Sequence, residues 1–437
     1  MLIFAHGLVG RADLPIPEAV FAAAAATVLV VSFVALALLW SEPRIQHWPE
    51  WRLFRLPAAV DVVLGTAGVL ALAVTAYAGL AGTEAERDNL APWAVYVAFW
   101  VGVPFASLML GDVWRLLSPW RAIGRGTGWL AARIAGERLP APLEYPERLG
   151  RWPAAAGVLA FGLCELCWAT AREPAPLAVL MLAYVVAMLV GMSVYGVEAW
   201  SRNADPFGVI FGFFAALAPL ERRDGVLLAR PPVLGAGMID GRIAGTAAVL
   251  LVGIGVTAFD GASEGPLFND VLPHLQDLFA GLGLGPARAL ELGFATGLLA
   301  TVGLVTLIWV LARPARELAL SLAPILAAYV VAHYFSLLAY NGQDLARLES
   351  DPLGDGSDLL GGAGAAIDYG VISATAIWYV QVAALVLGHV AALVLAHDRA
   401  LVLHGGHRAA TRSQIVMLAL MVCFTCLGLW LLSAANG

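Results

Sequence analysis

Long apolar stretches recur along the whole chain, separated by short polar connections. Ten of them approach or exceed the roughly 20 residues that a helix needs to cross a hydrocarbon core: 17 to 40, 58 to 81, 91 to 111, 152 to 171, 175 to 198, 243 to 260, 291 to 312, 318 to 341, 369 to 396 and 413 to 433. Little chain remains outside them, so the pattern predicts one integral membrane domain over 1–437 and no separate soluble domain. Backbone polar groups in lipid must be satisfied within the spanning segment itself, which makes the expected fold all-α, a polytopic transmembrane helix bundle of about ten spans. The uncharged run 206–220 is short for a crossing and reads as an interfacial or re-entrant helix on the inner side. Between 268 and 282, Leu272, Leu275, Leu278 and Phe279 fall at helical spacing among polar residues, which predicts an amphipathic helix lying on the outer surface.

Composition agrees with that class. Hydrophobic residues make up 60% and charged residues only 13%, against about 25% charged in soluble domains. The basic residues, all Arg, add an orientation. Read between the ten segments they alternate between few and many, so that one set of connections holds 20 and the other five. Positive residues mark the cytoplasmic face, which places both termini outside. It also defines an outer N-terminal segment (1–16), a long Arg-rich inner loop (112–151) and an acidic outer loop (342–368). Seventeen Asp and Glu fall on the outer side; such a face attracts cations and repels anions, or serves simply as a solvated rim. The expected location is a bacterial plasma membrane.

Candidate chemistry lies where polar side chains interrupt apolar segments, because an ionisable group there is costly and reads as functional by default. Glu165 stands just beyond the middle of the fourth span. Tyr329, His333, Ser336 and Tyr340 occur at offsets 0, 4, 7 and 11 and form one stripe on the eighth span. On the ninth, Tyr379 and Gln381 lie in the outer half, His389 lies deeper and His397 marks the inner boundary. Glu165, His333, Tyr340 and Gln381 are therefore the candidates for a polar site, without assigned roles; interhelical hydrogen bonding is the structural alternative. The sixth and seventh spans, over Ile243 to Phe259 and Leu292 to Leu311, carry nothing titratable, and Asp260 counts with the outer loop.

Metal-ligand candidates on the outer side are His6, Asp13, His333, Asp344 and Asp351, for a divalent metal or copper, although no tight His spacing occurs. The four cysteines form two C-x-x-C pairs, Cys164 with Cys167 and Cys423 with Cys426. These would suit a soft metal if their helices touch, but buried cysteine also serves as a small hydrophobe. No Gly-rich phosphate loop supports nucleotide hydrolysis, and no Gly-x-Ser-x-Gly elbow supports a serine nucleophile. The expected partners are the lipid bilayer and a small-molecule or cation ligand from the outer side; no nucleic acid is expected.

Several short motifs occur in order along the chain: Gly111-Asp112-Val113-Trp114 with Pro119-Trp120-Arg121, Leu228-Ala229-Arg230-Pro231-Pro232, His333-Tyr334-Phe335-Ser336, Ser350-Asp351-Pro352-Leu353-Gly354, Trp378-Tyr379-Val380-Gln381-Val382, and Gly388-His389-Val390 through His397-Asp398-Arg399. Together with His6-Gly7 through Pro17, they resemble the bacterial multi-pass membrane family commonly labelled fenitrothion hydrolase, over nearly the whole chain. That resemblance implies hydrolysis of an organophosphate triester and carries over no catalytic residues. The residues themselves leave two other classes open. One is a cation- or proton-coupled transporter or metal-handling membrane protein, in which Glu165, His333, Gln381 and His389 are intramembrane steps. The other is a scaffold or assembly subunit whose Arg-rich loops bind partners.

Overall fold

The structure, a computed structural model, describes residues 18–135, 141–416, 418–419, 421–422 and 425. In chain order its main elements are α1 (Glu18–Leu39), β1 (Trp51–Arg55), α2 (Ala59–Ala81), α3 (Leu90–Leu110), α4 (Pro119–Ala135), α5 (Trp152–Cys167), α6 (Pro174–Tyr195), α7 (Pro206–Leu217), β2 (Leu220–Arg223), β3 (Val226–Ala229), α8 (Thr246–Ala262), α9 (Pro266–Gly281), α10 (Pro286–Ala312), α11 (Leu322–Ser350) and α12 (Ala374–His404). Among the described residues six helices are long and apolar enough to cross a membrane: α2, α3, α6, α10, α11 and α12.

The centre of the bundle is α11. The apolar window containing it is 89% buried, whereas that of α2 is 11% buried, so α11 is enclosed by protein and α2 presents its apolar side chains outward. Helix α12 runs against α11 at backbone contact: a Cβ placed on Gly388 would meet Ala328 Cβ at 2.4 Å and the Pro324 carbonyl oxygen at 2.7 Å. Small residues permit such approach where no hydrophobic force draws helices together in lipid.

Four expected spans are not among these six. The first is α1, of which 22 residues are helical. The fourth stops at Cys167 after 16 residues, because Arg172 folds back and donates from Nε and Nη2 to the Glu165 carbonyl at 3.1 and 2.8 Å. That satisfies an acceptor which a helix end would otherwise leave bare. The sixth continues past Asp260 to Ala262 and then bends by 92° into α9, the helix expected at 268–282. The tenth, 413–433, lies mostly outside the described residues, as do His6, Asp13, Cys423 and Cys426.

The run 206–220, expected as an interfacial or re-entrant helix, is helical as α7 over Pro206–Leu217, and its apolar side chains are enclosed by protein. Phe207, Ile210, Phe211, Phe213 and Phe214 are all buried in the main apolar core. A 12-residue apolar helix inside the protein must have both of its ends satisfied there. At the N-terminus Asp205 Oδ1 accepts from the Phe207 amide at 3.1 Å. At the C-terminus the Arg230 guanidinium donates to the carbonyls of Ala215, Ala216 and Ala218 at 3.1, 3.4 and 3.2 Å, and it also pairs with Glu221. A carboxylate at the first turn and a guanidinium at the last both complement the helix dipole.

A small sheet of order β1-β3-β2, entirely antiparallel, closes the end of the bundle beside α7. The sequence reading contained no strand here. The hairpin signal was nevertheless present: Asp224-Gly225 separates β2 from β3, and both residues have positive φ, 52° and 77°, as a two-residue type I′ turn requires. Arg222 then forms a bidentate pair with Asp61 of α2 at 2.8 and 2.7 Å, which gives that acid a structural partner.

Candidate functional site

The polar site is assembled from α3, α5, α8 and α11. Asp260 Oδ2 accepts hydrogen bonds from His333 Nε2 and from the Tyr334 hydroxyl, both at 2.8 Å. Asp260 is 2% exposed and His333 6%, so the pair is shielded from solvent. With Nε2–H directed at the carboxylate, His333 Nδ1 is the acceptor of the neutral ring. It faces Gly261, where a built Cβ would lie 3.5 Å away.

Glu165, on α5, is near enough to Asp260 and Tyr334 for their charges to interact. Helices α5 and α8 cross closely beneath it: a Cβ on Gly162 would meet both Val256 methyl carbons at 2.8 Å. One oxygen of each carboxyl group, Glu165 Oε2 and Asp260 Oδ1, is buried without a hydrogen-bond partner.

The local structure makes that arrangement costly to maintain. Glu165 lies in the last turn of α5 and Asp260 in the last turn of α8. The C-terminal end of a helix carries partial negative charge and disfavours carboxylates. Two such ends and two acidic side chains thus lie close to one another, and one of the acids, Asp260, holds the His333 imidazole. Arg172, held at the Glu165 carbonyl, contributes a permanent positive charge close by.

Helix α3 supplies the opposite wall. Residues Ala94–Gly102 form a π-helical stretch, a geometry that often marks functional sites. Within it Tyr96 donates to the Ala171 carbonyl at 2.8 Å, fixing the loop that carries Arg172. An apolar layer of Leu166, Val256, Phe259, Phe268, Leu298 and Val302 packs around the ends of α5 and α8.

Of the residues singled out in the sequence, His333 bonds Asp260, and Glu165 lies near enough to Asp260 for their charges to interact. Tyr340 does not join them: its hydroxyl donates to the Ile372 carbonyl at 2.9 Å and ties down the acidic loop. Gln381 and His389 are buried on α12. His389 Nδ1 bonds the Leu385 carbonyl at 2.7 Å, while its Nε2 and Gln381 Nε2 have no partner. His397 and Asp398 clamp α12 to α1, through the Trp40 carbonyl at 3.0 Å and the Trp40 indole at 3.1 Å.

Asp344 pairs with Arg347 at 2.9 and 2.8 Å, and Asp351 accepts from the amides of Asp355 and Gly356 at 3.1 and 3.0 Å. Both acids thus serve the loop and do not gather around His333. Among the described residues no three His, Cys, Asp or Glu side chains are placed to hold a metal; His6 and Asp13 fall outside them.

Asp260 was missed in the sequence because it stands one residue beyond the apolar run and was counted with the outer loop. A usable signal existed: a single glycine, Gly261, does not by itself end a helix, and no proline occurs before Gly265-Pro266, so the helix period runs through Asp260. Comparison of the chain with protein-family models, with curated proteins and with solved structures finds no match.

Proposed function

We propose that this protein is a proton-coupled membrane transporter whose coupling site is Glu165, Asp260, His333 and Tyr334. The observation that carries this reading is a pair of buried carboxyl groups close enough for their charges to interact, each with an unpartnered oxygen, at the negative ends of two helices, one of them bonded to an imidazole. Such a constellation stabilises a bound proton. Its ionised form is penalised in an apolar interior unless a cation accompanies it. Helix C-termini converging on a cation at the interruption of membrane helices recur in transporters, and α7 is a second interrupted element. With the Arg-rich face cytoplasmic, the acidic loop faces outward, and Asp260, in the last turn of α8, lies toward that side.

The test uses purified protein in liposomes loaded with a pH-sensitive dye. Gradients of Na+, K+, Mg2+, acetate or phosphate are imposed in turn. Wild-type protein is expected to move protons against at least one of them, and Asp260→Asn to abolish the movement. Lumenal pH indistinguishable from protein-free liposomes under every gradient would overturn the reading.

The hydrolase implied by the family resemblance is the second reading. The same pair favours it, since an imidazole oriented by a carboxylate is a general base. It predicts hydrolysis of a chromogenic phosphotriester by detergent-solubilised protein, lost in His333→Ala.

A further inference from the structure

A separate cavity of about 370 Å³ opens on the Arg-rich side of the bundle, between the loop after α3, the start of α5, the segment before α7 and the turn after β3. Its walls hold four arginines, Arg115, Arg121, Arg151 and Arg202, and four acids, Asp112, Glu198, Asp205 and Asp240, so formal charge alone selects nothing. Hydrogen bonding does. Each acid is already engaged. Asp205 takes the Trp120 indole at 2.7 Å and the Tyr184 hydroxyl at 2.8 Å. Glu198 takes Arg115 and Arg121 at 3.0 and 2.6 Å. Asp112 takes the Arg115 amide at 3.1 Å, and Asp240 the Arg242 amide at 2.9 Å.

What remains open is a set of donors. Arg121 Nε, Arg151 Nε, Trp114 Nε1 and the hydroxyls of Ser118 and Ser201 are buried without partners, and all five residues line the cavity. Arg121, Trp114 and Ser118 are themselves more than nine-tenths buried, at 7, 7 and 3% exposure. Arg121 is held rigidly by Glu198 and the Arg115 carbonyl. Arg151 is fixed by Thr246 at 3.0 Å and by the Phe213 ring, 5.2 Å from its guanidinium carbon, and among the described residues it forms no salt bridge, Asp240 acting on it only through its charge. Buried donors gathered on residues around one space are costly unless an acceptor meets them.

The remaining wall is the small-residue face of α7, Gly208, Gly212 and Ala216, spaced by four. A Cβ on Gly212 would meet nothing within 4 Å, so this face borders the open space. Guanidinium, hydroxyl and indole donors around a pocket within the usual ligand range of about 300–1,000 Å³ fit a tetrahedral oxyanion carrying a small organic body. We infer that this cavity binds a phosphate ester, with its phosphate at Arg121, Arg151, Ser118 and Ser201 and its organic part along Gly208 and Gly212. The source is either a soluble phosphate monoester or the headgroup of an anionic phospholipid. The inference is independent of proton coupling.

The experiment titrates detergent-solubilised protein with glycerol 3-phosphate, following tryptophan fluorescence and thermal stability. In parallel, native mass spectrometry examines protein extracted from membranes containing phosphatidylglycerol. The variants are Arg151→Gln and Gly212→Leu, the second filling the cavity where space is open. Saturable binding of the soluble ester, weakened at least about tenfold in both variants as expected for a lost charge-assisted bond or a blocked pocket, supports the site with a soluble ligand. Co-purified phospholipid that is lost in both variants supports it with a lipid ligand. Absence of both signals in wild-type protein, or binding that Gly212→Leu leaves unchanged while unfolding temperature and elution volume match wild type, overturns it.

Discussion

His333 Nε2 and Asp260 Oδ2 stand 2.8 Å apart inside the bundle although 73 residues separate them in the chain. The pair joins the central helix α11 to the end of α8, and Tyr334, the next residue on α11, bonds the same oxygen. Removing either partner strands the other in an apolar interior. His333→Leu and Asp260→Leu are each expected to destabilise more than their sizes suggest, and the double variant less than their sum. The coupling energy should be about 1–3 kcal/mol, measured by unfolding in detergent across the full double-mutant cycle.

Gly261 separates structure from access. A methyl group there would sit 3.5 Å from His333 Nδ1, an ordinary contact, and Gly to Ala within a helix is itself favourable by about 0.5–1 kcal/mol. Gly261→Ala should therefore keep or raise the unfolding temperature while covering the open imidazole nitrogen. Proton movement in liposomes is expected to fall several-fold, and the comparison of the two measurements checks it.

The crossing of α5 and α8 sets the spacing of the two carboxyl groups. Gly162→Val forces side-chain atoms into Val256, which a single Cβ would already approach at 2.8 Å. Overpacking of this kind costs about 1–3 kcal/mol. Activity should drop further than stability, because the same displacement carries Glu165 away from Asp260.

Both caps of α7 are charged side chains inside the protein. Arg230→Met removes the donors to Ala215, Ala216 and Ala218 and leaves Glu221 without that partner. A loss of about 2–4 kcal/mol is expected, with partial recovery in Arg230→Lys, which restores charge but not the planar fork. Unfolding in detergent measures both.

The acidic loop is pH-sensitive at its own end of the molecule. Hydrogen bonds from the Ser350 hydroxyl and the Ala363 amide hold the Asp358 carboxyl below its usual range. A group whose folded pKa is depressed contributes stability above its unfolded value, and the contribution disappears as pH falls through the folded value. Hydrogen exchange across 350–363 should consequently be constant from neutral pH down to about 4 after correction for intrinsic rates, and should accelerate below it. Asp358→Asn should show the faster exchange already at neutral pH.

Much of the architecture was legible in the linear pattern. The apolar runs that became α2, α3, α6, α10, α11 and α12 could be read because in lipid hydrophobicity and helix length are imposed by the surroundings and not by partners. The amphipathic α9 and the short α7 were equally visible as periodicity and as length. Glu165 and His333 stood out for the same reason, being ionisable where water is scarce.

Tertiary structure alone decided what those residues touch. Asp260 seemed to belong to a loop until the continuation of α8 carried it under α11. Arg172 became part of the site only by folding back onto the end of α5. The donors of Arg121, Arg151 and Ser118 lie in unremarkable Arg-rich stretches, and nothing in sequence shows that the nearby acids are already taken. Hydropathy is a property of each segment by itself, whereas pairing depends on which helices touch and how closely their glycines allow them to approach. Segments and their caps were therefore local information; the meeting of Glu165, Asp260 and His333 was not.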